Sequence, residues 1–395
     1  MPQLPRNELD WLTSYMAYTN NSEPADLYRL WSGISAIAAC LQRKCFLPWH
    51  TDVYPNMYIV LVGQPACRKS TAFKPIQLLL RDLPGVVLAA QSTTREALIR
   101  RMTECTASII LEDGTTLNSS SITLHSSEFN VFLGHNNPTM LSFLTDIFDC
   151  EDPWTYDTKN KGTDIVAGVW FNLIGAITPR SLQQALPHDT GIEGGLSSRI
   201  IFIYADRGKV LSFPSKFDVT TGIGKRLKDD LEQICMLKGR FSVTEGWRIM
   251  WDLWYQQNGK DCALPYDLFG GYIQRRAVHI LKLSMIISAS EGNSLIIDNT
   301  HLARAIVYLK EAEQVMLQAF VQYGRTDLNV ITGRVMLFIS ATKEVAYHTI
   351  MTQFMRDMNV DELNVVLRTV RASGRYNVKV VDNESIWYEV DREKT

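Results

Sequence analysis

The chain has 395 residues, 46% of them hydrophobic and 21% charged, an ordinary globular balance with length for two or three domains. A net charge of −2 excludes a surface coated in basic residues, so any nucleic-acid contact must come from a local patch or the wall of a pore. Seven cysteines without framework spacing, no basic and apolar leader at the start, and no apolar stretch longer than that around residues 34–41 predict a cytoplasmic protein with reduced thiols and no membrane contact.

Residues 8–41 read as two helices, the second rich in Ala, Ile and Leu. Cys40, Cys45 and His50 imitate part of a zinc site, but no fourth ligand follows, and buried structural cysteines are the better reading. Strands follow at 44–47 and 52–62. The apolar run 57–62 enters Gly63-Gln64-Pro65-Ala66-Cys67-Arg68-Lys69-Ser70-Thr71, and a helix is expected over 72–83. A Gly-led loop between strand and helix, ending in Lys-Ser, is the layout of a nucleotide phosphate loop. Its N–H groups and the helix N-terminus cradle phosphates, Lys69 reaches the outer ones, and the Ser70 hydroxyl ligates Mg²⁺. Arg68 stands where a second Gly is usual. Arginine lacks glycine's access to positive φ, so either the loop is distorted or Arg68 itself touches phosphate.

A short buried strand is expected at 86–90, then a helix over 96–102 with Thr93 and Glu96 as a capping box. Two β-rich runs, 108–111 and 121–125, flank the turn Asp113-Gly114. A helix over 139–148, a hairpin over 154–165 turning at Lys159-Asn160-Lys161-Gly162, and an apolar strand at 169–177 ending in Thr178-Pro179 complete this region. Strands alternating with helices predict an α/β fold with a mostly parallel sheet flanked by helices.

From residue 209 helices dominate, over 222–237, 244–257, 272–288 and 300–320. Trp247, Trp251 and Trp254 recur at helical spacing and read as core packing rather than a base-stacking stripe. The tail, 329–390, offers three helical runs and a hairpin (376–381 and 385–390), the order of a winged helix. Its third helix, 360–372, carries Leu363, Val366, Leu367 and Val370 on one face, with Asn359 and Glu362 as capping partners. Arg368, Arg371, Arg375 and Lys379 could face DNA phosphates. Residues 326–395 nevertheless hold nine Lys/Arg against ten Asp/Glu, so a protein contact is an equal reading. The expected divisions are an N-terminal helical segment (1–45), an ATPase core (46–208), a helical lid (209–325) and a winged-helix-like module (326–395).

An ATPase built on such a loop needs a carboxylate at a neighbouring strand end, to orient the attacking water and help hold Mg²⁺. Glu128, after Ser127, meets that need, and Ser127 supports Mg²⁺ through its hydroxyl or a water. Glu112-Asp113 is the rival, although Gly114-Thr115 after it suits a hairpin better. Thr178 fits a polar sensor at the tip of the central strand. Arg199 is placed to reach a neighbouring subunit's nucleotide, and Arg275 or Arg276 to sense phosphate from the helical region.

The series Gly63…Lys69-Ser70, Thr94-Arg95-Glu96-Ala97-Leu98, Ser126-Ser127-Glu128-Phe129, Thr178-Pro179, Gly195-Leu196-Ser197-Ser198-Arg199 and Arg275-Arg276 resembles the ATPase part of phage and plasmid primase-helicases. These are grouped with the superfamily 3 and MCM-like ring helicases of the AAA+ class, and the resemblance spans roughly residues 8–320. It implies an ATP- and Mg²⁺-dependent replicative helicase of a mobile element, working as a homo-oligomeric ring, a hexamer, on single-stranded DNA in a central channel. By the resemblance, Leu196-Ser197-Ser198-Arg199 is similar to the element bearing the trans-acting arginine and Thr178-Pro179 to the Asn-Pro sensor. Lys159 and Lys161 then fall on a DNA-gripping hairpin. Arg68 for Gly, Ser127 for Asp and Thr178 for Asn depart from the pattern and bear on hydrolysis more than on binding. A separate primase or polymerase is implied, because no primase carboxylate cluster precedes the loop. The alternative is a nucleotide-binding scaffold or loader with little turnover.

Overall fold

Tyr58–Val62 (β1), Ala107–Ile110 (β2), Thr116–Ser126 (β3), Val169–Ile177 (β4) and Ile200–Tyr204 (β5) form one sheet in the order β2-β3-β4-β1-β5. The computed structural model describes residues 5–111, 114–134, 137–158, 162–186, 195–206, 208–214, 216–257, 262–320, 327–355, 358–381 and 384–390. Strands β1, β3, β4 and β5 are mutually parallel, whereas β2 pairs antiparallel with β3. Every residue of β1 and β4 is buried. A strand buried on both faces requires cover on both sides, which the crossover helices of a parallel sheet provide. The registers align Val62 with Ile177 and Tyr204, and Ser126 with Gly175. The C-terminal ends of all four parallel strands therefore lie along one edge.

The expected strand at 86–90 is reduced to one parallel bridge, Leu88 to Thr123, on the outer edge of β3. The single helix expected over 72–83 is two, Lys69–Ala72 and Lys74–Leu80, broken at Phe73. Pro75 has no N–H to offer the carbonyl four residues back, so the helix cannot run through. The next helix starts at Arg95, and its cap is Thr94, which accepts from the Ala97 N–H at 3.2 Å. Glu96 is thus not the partner of a Thr93 capping box, because the cap falls one residue later, at Thr94, and Glu96 becomes the second helical residue rather than the third.

Asp26–Leu41 (α1) buries 14 of its 16 residues and packs on β1, β4 and β5. Tyr266–Glu291 (α2) packs on α1 and on Asn299–Phe320 (α3), which in turn covers β5 through Phe320 against Phe202. Trp247, Trp251 and Trp254 are buried and stack on one another along Glu245–Gln257, as core packing requires. Cys40 and Cys45 are buried free thiols, and no cluster of metal-ligating side chains occurs among the described residues.

The chain divides into two units, Met1–Phe320 and Val321–Thr395. The second runs helix Asp327–Thr342, strand Glu344–Ala346, helices Tyr347–Phe354 and Val360–Ala372, then the hairpin Tyr376–Val381 and Glu384–Glu389. The short strand, which no sequence pattern announced, pairs with the hairpin's second strand to make a three-stranded antiparallel sheet. Leu363, Val366, Leu367 and Val370 enter its core with Ile339, Ile350 and Trp387, and both halves of the Asn359/Glu362 capping box are formed. Among the described residues, no helix is long and apolar enough to cross a membrane.

Candidate functional site

The loop leaving β1 bends around Gly63, where an added Cβ would overlap the Tyr28 hydroxyl and the Ala205 carbonyl oxygen. That hydroxyl, from α1, lies 2.6 Å from the carbonyl oxygens of both Val62 and Ala205 and accepts from the Ala205 N–H, tying the ends of β1 and β5 together. Further along, Ala66 and Arg68 adopt φ of 67° and 60°, left-handed values that cost a non-glycine residue roughly 1–2 kcal/mol each. The Arg68 side chain turns to Glu23, with Nε 2.6 Å from the carboxylate. Arg68 thus takes the conformation that glycine would, so the loop keeps its course at a cost in strain, and the side chain's charge is directed to Glu23.

The loop faces a cleft of about 300 Å³ lined by Pro65, Ala66, Arg68, Lys69, Ser70, Thr71, Ser127, Glu128, Ala176, Ile177 and Thr178. Residues picked out from three separate stretches of sequence meet here, because the parallel register brings the ends of β1, β3 and β4 to one edge. Glu128 is held at the N-terminus of Phe129–Leu133, whose Phe129 ring packs where any side chain on Gly175 of β4 would stand. Lys69 Nζ donates to the carbonyls of Gly63 and Gln64, each at 2.7 Å. Burial draws its ammonium below the usual lysine value, and Cys67 and Glu128 partly oppose the shift.

Three polar groups around the cleft already have partners or a settled state. The Ser127 hydroxyl donates to the Gln91 side-chain oxygen at 2.9 Å. The Thr178 hydroxyl caps Pro179–Ala185, accepting from the Ser181 N–H at 3.2 Å and donating to the Ser181 hydroxyl. Behind the cleft His125 is buried with both ring nitrogens unpaired, and burial pushes it down to about 4, so the ring is neutral. Of the remaining loop residues, Cys67 is buried and Gln64 is exposed beside the cleft.

Arg199 lies at the opposite end of the sheet. It precedes β5, whose first residue pairs with Tyr58 at the start of β1. Five strand residues at about 3.3 Å each place it about 16 Å from the loop at the other end. Its guanidinium donates to Gly195 O and to Asp149, both at 2.7 Å, and Arg275 meets the same carboxylate at 3.2 Å. Burial, and next the neighbouring Arg199 charge, lower Arg275 from its usual value. Lys282, close by and fully enclosed, is pushed down to about 8, mainly by burial. Several cations thus gather around Asp149.

Arg276 requires a correction. It is paired through Nε and Nη2 with Glu313 of α3 at 2.7 and 3.0 Å, both side chains almost fully buried. An arginine enclosed in this way is a tie between helices and cannot meet a phosphate. Lys159 and Lys161 lie outside the described residues, as does the rival pair Glu112-Asp113. The stem of the lysine hairpin, Trp154–Thr158 with Gly162–Val166, is anchored by Arg95 over the Tyr156 ring and by Trp154 against Phe143. Arg368 and Arg371 are exposed on Val360–Ala372 and have no ion-pair partner among the described residues, whereas Arg375 and Lys379 pair with Glu389 and Glu344.

Sequence reasoning missed Glu23, Tyr28, Gln91 and Asp149. All four act on the site through distant pairings, which no local pattern signals. Asp149 stands in an acidic stretch with Asp146, Glu151 and Asp152, so nothing local singles it out. No known family model and no characterised protein matches this chain.

Proposed function

We propose that the first unit is a phosphate-loop ATPase of the AAA+ class, and that it works as a ring-forming helicase or translocase on single-stranded DNA, of the kind mobile elements use in replication. The observation that carries this reading is the single cleft shared by Lys69, Ser70, Thr71, Ser127, Glu128 and Thr178. The strand order, with β1 flanked by β4 and β5 and with β3 beyond β4, also suits that class.

In this reading the loop N–H groups and Lys69 bind the ATP phosphates, with Lys69 exchanging its two carbonyl partners for phosphate oxygens. Glu128 orients the attacking water and takes its proton. Ser70, with Ser127 and Glu128 beside it, would hold Mg²⁺. So few ligands fit an ion that keeps its waters and relies on substrate phosphates. Bound there, Mg²⁺ would neutralise charge building on the phosphates. Arg199 and Arg275 sit too far from their own cleft to act on it. They serve the nucleotide of a neighbouring subunit, where release from Asp149 lets a guanidinium stabilise the transferring phosphoryl group. The second unit is proposed as a winged helix, with Arg368 and Arg371 as its free cations for a DNA backbone. Lys159 and Lys161 are proposed to track DNA in the channel, and a hexamer and a separate primase or polymerase complete the assembly.

One observation favours the alternative of a nucleotide-gated scaffold: Ser127 stands where an acid would, and its proton is committed to Gln91. Steady-state ATP hydrolysis over a range of protein concentrations, with and without single-stranded DNA, separates the two. The helicase reading predicts turnover that climbs steeply with concentration and is stimulated by DNA. ATP binding with no turnover under any of these conditions would replace it with the scaffold.

A further inference from the structure

Away from the ATP cleft, the first unit carries an aromatic pocket that runs into a basic groove. Cys45–Pro48 pairs in parallel with Gly239–Arg240, which sets Arg240 beside Trp49. Helix Glu245–Gln257 supplies the other wall. The pocket, about 330 Å³, is lined by Trp49, Trp247, Trp251, Arg240, Arg248 and Asp252. Trp49 meets Trp251 edge-on with centroids 6.1 Å apart. Trp247 and Trp251 are almost fully buried, whereas Trp49 is half-buried. Both arginines are exposed, and neither has a carboxylate partner among the described residues. A second cavity of about 630 Å³ shares Pro48, Arg240 and Ser242 with the first and adds Lys238 and Asp52.

These groups ask for a ligand with a flat ring and an anionic group beside it, repeated so as to fill a groove as well as a pocket. Aromatic faces beside unpaired arginines are the combination that holds single-stranded nucleic acid without reading its sequence. We infer that this groove is a second single-stranded polynucleotide site, with one base seated against Trp49 at the pocket and the following phosphates running past Arg240 and Arg248. The site does not involve the ATP cleft or the Lys159/Lys161 hairpin, so it stands independently of the ATPase reading.

The test is fluorescence anisotropy of a labelled 15-nucleotide oligothymidylate with the full chain in which Lys159 and Lys161 are already alanine. R240E/R248E should weaken binding at least tenfold and flatten the salt dependence, by about 0.7 log units per log unit of salt for each phosphate that is no longer neutralised. W49A should weaken it about tenfold, with the slope unchanged, because only stacking is removed. Far-ultraviolet circular dichroism melts establish that each variant is folded. Unchanged affinity in both variants overturns the proposal. So does competition by thymidine monophosphate at the same concentration of phosphate, which would make the pocket a mononucleotide site. Equal competition by polyglutamate would reduce the groove to an acidic-peptide surface and overturn it as well.

Discussion

The two ends of the central sheet are built in opposite ways. At the C-terminal end, where Val62, Ser126 and Ile177 finish their strands, a strained loop with two left-handed non-glycine residues surrounds a cleft containing one lysine and one carboxylate. At the N-terminal end, Arg199 and Arg275 are packed onto Asp149 with Lys282 alongside. One end presents an open cleft with Lys69, and at the other, among the described residues, the cations gather on Asp149. A single copy cannot join these halves, because β1 keeps them about 16 Å apart. Under the ATPase reading proposed above, a complete site therefore takes two copies, with the loop of one facing the arginines of the next.

The largest effect is expected at the cleft. Glu128→Gln should reduce turnover by about 10²- to 10⁴-fold, the usual contribution of a positioned base, while ATP binding measured by calorimetry stays intact. If turnover survives, the carboxylate at the end of β3 is not the one that orients water, and the contrast between the two ends loses its catalytic meaning.

That cleft was legible in the sequence because its chemistry is local: a strand, a Gly-led turn and a Lys-Ser pair at fixed spacing, and short motifs at two other strand ends. The rest was illegible for an equally physical reason. Arg275 and Arg276 are adjacent, yet one faces Asp149, 126 residues away in sequence, and the other Glu313, 37 residues away. Adjacent residues on a helix point about 100° apart, and only the packing of α2 decides which meets Asp149 and which is sealed against α3. Pro75 broke a helix whose apolar pattern reads as continuous, and the capping of Thr178 onto Ser181 was visible only once the helix after it was placed.

The distinction between the two arginines supplies the next test. Arg276→Ala leaves Glu313 buried without its partner and should cost about 3–5 kcal/mol of stability, read as a lower urea midpoint. A variant with unchanged stability and abolished turnover would return Arg276 to the catalytic groups.

The smallest effect is expected at Arg68. Arg68→Gly removes left-handed strain and gives up a half-exposed ion pair with Glu23, worth no more than about 1 kcal/mol. ATP affinity should therefore change by less than about fivefold. A loss much larger than that would mean that Arg68 leaves Glu23 to bind phosphate, and the cleft would then have a second cation of its own.

Mixing two dead variants tests the split site most directly. Lys69→Ala keeps the arginines and loses its cleft, whereas Arg199→Ala keeps the cleft and loses the charge it lends. Each alone should be inactive, Arg199→Ala by about 10³-fold or more. A mixture of the two, shown by pull-down to co-assemble, should recover hydrolysis, because some interfaces then pair an intact cleft with an intact Arg199. Co-assembled mixtures that remain as inactive as either variant alone would contradict the shared site.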